Sequence, residues 1–155
     1  ARGLPVKAWL TAYQTAANNF VEGEGLLMAP TIAVSKLLDR TGLRLQDFDF
    51  YEIHEAFAAQ VLATLKAWED PEYCRRVLGK DQPLGSIDRS KLNVKGSSIA
   101  YGHPFAATGA RIMANLAKLL YEHGGRGLIS ICTAGGMGVA AIMESGRAAE
   151  MQAAA

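Results

Sequence analysis

Residues 127–144 read GLISICTAGGMGVAAIME, two apolar runs broken by Ala134-Gly135-Gly136. Each run suits one strand, and the small residues between them supply a turn, so the stretch reads as a hairpin of two buried strands. Upstream, Ile112, Leu116, Leu119 and Leu120 recur at helical spacing, and Gly124 and Gly125 stop that helix. Before it lies a turn-rich approach, NVKGSSIAYGHPF. Phe57, Val61, Leu65 and Trp68 mark the face of another helix, and FDFYEI ahead of it reads as a buried strand leading to His54. An earlier helix carries Ile32, Val34, Leu37 and Leu38, opened by Pro30 and ended by Gly42. A glycine-containing loop, 21–30, separates it from a first strand over 5–13 with Val6, Ala8 and Leu10 on one face. Strands and helices alternate, which defines an α/β class.

The 155 residues fit one domain, 1–155, with no repeat or linker. Half the chain is hydrophobic and 20% is charged, enough apolar surface for a core and too little charge for general disorder. The net charge of +1, without basic runs, excludes the electrostatic footprint of nucleic-acid or anionic-membrane binding. No apolar run approaches the roughly 20 residues of a membrane-spanning helix. Two cysteines, Cys74 and Cys132, are too few for a disulfide framework and suit a reducing, cytoplasmic compartment. The chain starts at Ala1 without a signal sequence, as a processed or excised piece would. From Asp70 to Lys91 charges, Pro71, Pro83 and glycines break the periodicity, so 70–91 is expected as a surface insertion. The alanine-rich tail, 147–155, is expected as frayed helix or disorder.

Three segments carry reactive side chains where one element gives way to another: His54-Glu55-Ala56-Phe57, Gly102-His103-Pro104 and Cys132-Thr133-Ala134-Gly135-Gly136. Singly, each has an ordinary structural explanation: a hydrogen-bonded histidine, a buried thiol, a glycine turn. His54, His103 and Cys132 lack the tight paired spacing of zinc ligands, so no metal is expected. No GxGxxG fingerprint follows the first strand. His123 suits a helix C-terminus, and Cys74 a short helix in the charged segment.

Taken together and in this order, HEAF, GHPFAATGAR and CTAGG resemble the C-terminal half of the thiolases. The likeness is nearest the long-chain 3-ketoacyl-CoA thiolases of the trifunctional-protein β-subunit type and runs from about Pro5 to Glu144. It implies one half of an αβαβα layered fold, with a mixed five-stranded sheet covered by helices. The implied reaction cleaves a 3-ketoacyl-CoA with CoA to acetyl-CoA and a shortened acyl-CoA, in fatty-acid β-oxidation. CoA is a substrate there, and no cofactor is implied. On this resemblance His103 takes the proton of the nucleophilic cysteine, and Cys132 exchanges a proton with the acetyl carbon. His54, where many thiolases have Asn, helps hold an oxyanion-hole water. Ala134, Gly135, Ala56 and Phe57 are implied as oxyanion- or substrate-contacting positions.

Four departures from the commoner thiolase pattern stand out: His54, Ser97-Ser98 at a frequent Gly-Gly pair, Ala107 for a helix-opening glycine, and Ala134 for the first glycine of its turn. The last tolerates alanine only if its backbone avoids a glycine-only conformation. The implied nucleophile belongs to an N-terminal half, so that half is the expected first partner, and this chain alone is expected to be inactive. A homodimer or tetramer and a hydratase/dehydrogenase subunit are further implied partners. Two alternatives are a decarboxylating condensing enzyme of the same superfold and a non-catalytic acyl-CoA-binding or dimerisation module. The glycine pair after Cys132 argues against the first, and the presence of both His103 and Cys132 against the second.

Overall fold

The hairpin forms the middle of the sheet. β3 (Arg126–Thr133) and β4 (Met137–Ser145) pair antiparallel, β1 (Ala8–Ala17) adds antiparallel to β4, and β2 (Phe50–Ile53) adds parallel to β3, in the order β1-β4-β3-β2. The structure, a computed structural model, describes residues 3–146, so the tail at 147–155 lies outside the described residues. Side chains alternate across β3 and β4. Leu128 and Ile142 enter one core with Val34, Leu37, Phe48 and Trp68, under α1 (Ala29–Thr41) and α2 (Ala58–Glu69). Ile129, Ala141 and Met143 enter the other with Ile112, Leu116 and Leu120 of α5 (Thr108–His123). A strand buried on both faces has no polar side, which is why both hairpin runs are almost continuously apolar.

Four strands replace the expected five among the described residues. At the outer edge of β2 the remaining place shrinks to a single parallel bridge, Tyr51 to Leu92. Asn93 then turns the chain away at φ 48°. Its side-chain amide imitates the missing strand: Ile53 N–H donates to Asn93 Oδ1 at 2.9 Å, and Asn93 Nδ2 donates to Ile53 C=O at 3.0 Å. The first strand also runs later than the expected 5–13, because β4 offers partners as far as Met137 opposite Ala17.

Local signals set the helices. Pro30 lies in the first turn of α1, and Gly42 closes it at φ 69° with its N–H on Leu38 C=O. Charged stretch 70–91 holds α3 (Pro71–Leu78), where Asp70 accepts from the N–H groups of Glu72 and Tyr73 at 2.8 and 3.0 Å. Cys74 is fully buried beneath it, and Ile87 joins the first core. Ion pairs Arg76–Glu24 and Lys80–Asp39 tie the segment's polar side to the body.

The start of α1 rests directly on β4 at Gly138. A Cβ there would lie 2.5 Å from Pro30 N and 2.8 Å from Ala29 C, both backbone atoms that cannot rotate aside. Gly138→Ala is therefore expected to destabilise the domain by about 3 kcal/mol, read as a lower denaturant midpoint at unchanged slope.

Candidate active site

Because β2 and β3 are parallel, their C-terminal ends lie at the same edge of the sheet. His54 follows β2 directly, and Cys132 is the penultimate residue of β3. Loop 102–107 enters α5 above them and brings His103. All three side chains line one cleft of about 610 Å³. Clefts outside the carboxyl ends of parallel strands are the usual ligand sites of open α/β sheets. Ala56, Phe57 and Ala134 line the same space, while Gly135 lies outside the lining in the β3–β4 turn at φ 80°. The remaining wall is largely apolar, including Leu26, Met113, Ile131 and Val139. Phe57 and Phe105 stand exposed at the mouth.

His54 is almost fully buried, and its N–H continues the β2–β3 ladder by donating to Ser130 C=O at 2.9 Å. Its Nδ1 lies 2.7 Å from Ser98 Oγ, and its ring meets that of His103 edge-on at 4.9 Å. Burial, seconded by the nearby His103 and Arg111, pushes the His54 pKa down to about 4. The imidazole is thus neutral near pH 7, with one N–H to donate. Cys132 is buried, and that burial raises its pKa, so it holds its proton as a thiol. A protonated thiol in an apolar wall is a proton donor rather than a resting nucleophile.

Glu55 faces away from this chemistry and anchors it. Its carboxylate accepts from Asn93 Nδ2 at 2.8 Å and from Ile99 N–H at 3.2 Å, tying the 93–99 loop to the end of β2. Ala134 has no positive φ, whereas Gly135 and Gly136 do. Alanine therefore fits at 134 without backbone strain. The helix-opening departure shifts by one residue: Ala107 has ordinary helical angles (φ −95°, ψ −32°), and Ala106 occupies the left-handed region at φ 64°. Two successive alanines conceal from sequence which of them takes that conformation.

Two residues singled out by sequence sit elsewhere. His123 ends α5 with its ring 5.9 Å from Phe50, and Cys74 donates to Ala67 and Trp68 carbonyls at 3.4 and 3.5 Å. Sequence reasoning missed Arg111, which donates from Nη2 to Ser98 Oγ at 2.9 Å, and Glu52. Glu52 is completely buried, neither of its carboxyl oxygens has a hydrogen-bond partner, and burial, opposed by the charge of Arg111, moves its pKa up to about 7. An acid inside the strand run FYEI, flanked by Tyr51 and Ile53, was the available signal for Glu52. Among the described residues no group of three or more His, Cys, Asp or Glu side chains could hold a metal ion, and no helix is long and apolar enough to cross a membrane.

The fold and cleft define an α/β domain that presents imidazoles and a buried thiol beside its strand ends. Residues 4–145 match the family described as Thiolase, C-terminal domain, and the chain belongs to that family. It is 45% identical over 145 residues to a 3-ketoacyl-CoA thiolase of Yersinia pestis (strain Pestoides F), covering 93% of this chain and 33% of that protein. Among solved structures, the peroxisomal 3-ketoacyl-CoA thiolase of Saccharomyces cerevisiae aligns with a TM-score of 0.65 and 36% identity, over 92% of this chain and 35% of its own. A Bacillus anthracis acetyl-CoA acetyltransferase aligns at 0.64 and 33% identity, over 89% and 30%. The chain thus spans about a third of the length of the relatives it matches.

Two outcomes follow from the site's geometry. Ala106→Gly relieves the left-handed strain and is expected to stabilise the domain by about 1 kcal/mol, measured by denaturant titration. The second concerns two opposed titrations. His54 in the folded chain takes its proton only near pH 4 against an ordinary 6.5, so stability rises with pH across that window. Glu52 keeps its proton up to about 7 against an ordinary 4.5, so its contribution falls as pH rises from 4.5 to 7. Glu52→Gln removes the falling contribution. The melting temperature of the variant is expected to climb between pH 4.5 and 6.5 more steeply than that of the wild type, in thermal melts across a pH series.

Proposed function

We propose that this chain is the C-terminal catalytic half of a 3-ketoacyl-CoA thiolase that cleaves its substrate with CoA in fatty-acid β-oxidation. The observation that carries this reading is the convergence of His103, Cys132 and His54 on one apolar cleft at the strand ends. The named relatives support the substrate class. In this reading the nucleophilic cysteine comes from the N-terminal half of the complete protein. CoA enters as a substrate, and no cofactor takes part.

The roles follow from the environments. A thiol with an ordinary pKa is mostly protonated at neutral pH, so the attacking cysteine needs a base, and His103 at the entrance to α5 takes its proton. The thiolate adds to the 3-keto carbon, and the C2–C3 bond then breaks. Its electrons pass to the departing acetyl-CoA as an enolate. Cys132, kept protonated by burial, gives that carbon its proton. CoA then gives its thiol proton to the Cys132 thiolate and displaces the acyl group from the enzyme cysteine, which leaves as a thiolate and takes back the proton held by His103. Negative oxygen develops on the thioester during C–C cleavage and on the tetrahedral adducts. A neutral His54 N–H can meet the first, and the Ala134–Gly135 turn offers backbone N–H groups for the second. The complete enzyme in this reading is a homodimer or tetramer, cytoplasmic, of the trifunctional β-subunit type and able to pair with a hydratase/dehydrogenase subunit.

In the complete enzyme, His103→Ala should slow acyl-enzyme formation by about a hundredfold or more. Cys132→Ala should leave the acyl-enzyme burst from a simple acyl-CoA intact while abolishing α-proton exchange of acetyl-CoA. The 155-residue chain alone should not cleave acetoacetyl-CoA. Equal loss of acylation in both variants, measured by burst amplitude, would overturn this division of roles.

A further inference from the structure

We propose that Ser98 and Arg111 are positioning residues that fix the tautomer of His54, leaving Nδ1 bare and presenting Nε2–H to the cleft. The inference comes from counting protons and lone pairs. Ser98 Oγ is buried and has two polar side-chain neighbours: Arg111 Nη2 at 2.9 Å and His54 Nδ1 at 2.7 Å. A guanidinium donates and never accepts, so Arg111 occupies one lone pair of the hydroxyl. The Ser98 proton then has one acceptor within reach, His54 Nδ1. Were His54 protonated at Nδ1 instead, Ser98 would accept from both sides. Its own O–H would be sealed in the interior unpaired, an arrangement native structures avoid. Donation by Arg111 also polarises the hydroxyl and makes it a better donor to imidazole.

Geometry around the trio locks it. Arg111 Nη2 reaches Ser97 Oγ as well, at 3.4 Å, and Ser97 Oγ lies 3.3 Å from Ile53 C=O at the end of β2. The guanidinium stacks over Tyr101 at 5.7 Å. Both serines sit where the notably short α4 (Ser98–Tyr101) begins, and α5 supplies the arginine. Ser98 alone touches the imidazole nitrogen, Arg111 of α5 holds Ser98, and Ser97 ties the start of α4 to the end of β2. The other nitrogen is the one left for the cleft, and only as N–H can it stabilise a developing oxyanion. This rests on the proposed thiolase reading for its consequence, but the tautomer itself does not.

The test has two arms. In the 155-residue chain, which contains three histidines, ¹⁵N-histidine NMR assigned by a His54→Gln difference spectrum reads the tautomer directly. The expected result is a bare Nδ1 and a protonated Nε2 on His54 in the wild type, with the Nδ1–H form appearing in Ser98→Ala and receding in Ser98→Thr. A wild-type His54 carrying its proton on Nδ1 would overturn the proposal without any variant being needed. In the complete enzyme, Ser98→Ala should lower kcat about tenfold, by loosening an oriented donor, with little change in KM. Ser98→Thr should recover most of that loss. Altered tautomer populations with unchanged kcat would refute the oxyanion role of His54 while leaving the Arg111–Ser98 relay standing.

Discussion

The amide of Asn93 holds the two halves of the site together. β2 is only four residues long, and its outer edge has almost no partner strand. Without help, Ile53 would present an unpaired peptide immediately before His54, at a buried position. Asn93 accepts from Ile53 N–H, donates to Ile53 C=O, and shares its remaining proton with Glu55. Its own N–H donates to Tyr51 C=O at 2.8 Å. One side chain thus closes a sheet edge and fastens the segment that proceeds through Ser97 and Ser98 to His103. The edge-on meeting of His54 and His103 depends on that fastening, since the two histidines are 49 residues apart in sequence and no strand joins them.

Electrostatics at this end of the sheet is arranged around Arg111. Its charge reaches both buried groups, Glu52 and His54, and acts on them with opposite chemical results. Its charge opposes the rise of Glu52 and deepens the fall of His54. Neither effect is the leading one, because burial dominates both. The outcome is a buried neutral imidazole and a buried acid near its midpoint at neutral pH, with the half-buried Arg111 acting on both. A neutral His54 keeps one ring N–H to donate.

Much of this was legible in the sequence where a single local rule governs. Pro30 and Gly42 bracket α1, the Leu and Ile spacing gives the buried face of α5, and the glycine break gives the hairpin. The three motif segments were also legible, and folding gathers His54, His103 and Cys132 in one cleft. What escaped depends on partners distant in sequence. The extension of β1 to Ala17 is imposed by β4, not by the propensity of Gln14–Ala17. In 70–91 the short helix around Cys74 was legible, whereas the entry of Ile87 into the first core was not, because charges and prolines surround it. Ser98 and Arg111 look like ordinary polar residues until the fold sets them 2.9 Å apart.

The closeness of the two imidazoles also explains how their work can divide. Rings 4.9 Å apart do not share two positive charges cheaply in a largely apolar cleft, so one of the pair must stay neutral. His54 is the deeper ring, closed in by Ser98, Arg111 and the β2–β3 ladder, whereas His103 sits on an exposed loop. A proton arriving at this end of the cleft therefore finds no stable place on His54. Burial, seconded by the charges of His103 and Arg111, thus leaves His54 to hydrogen bonding. The same depth that makes His54 a poor base makes its N–H a fixed donor.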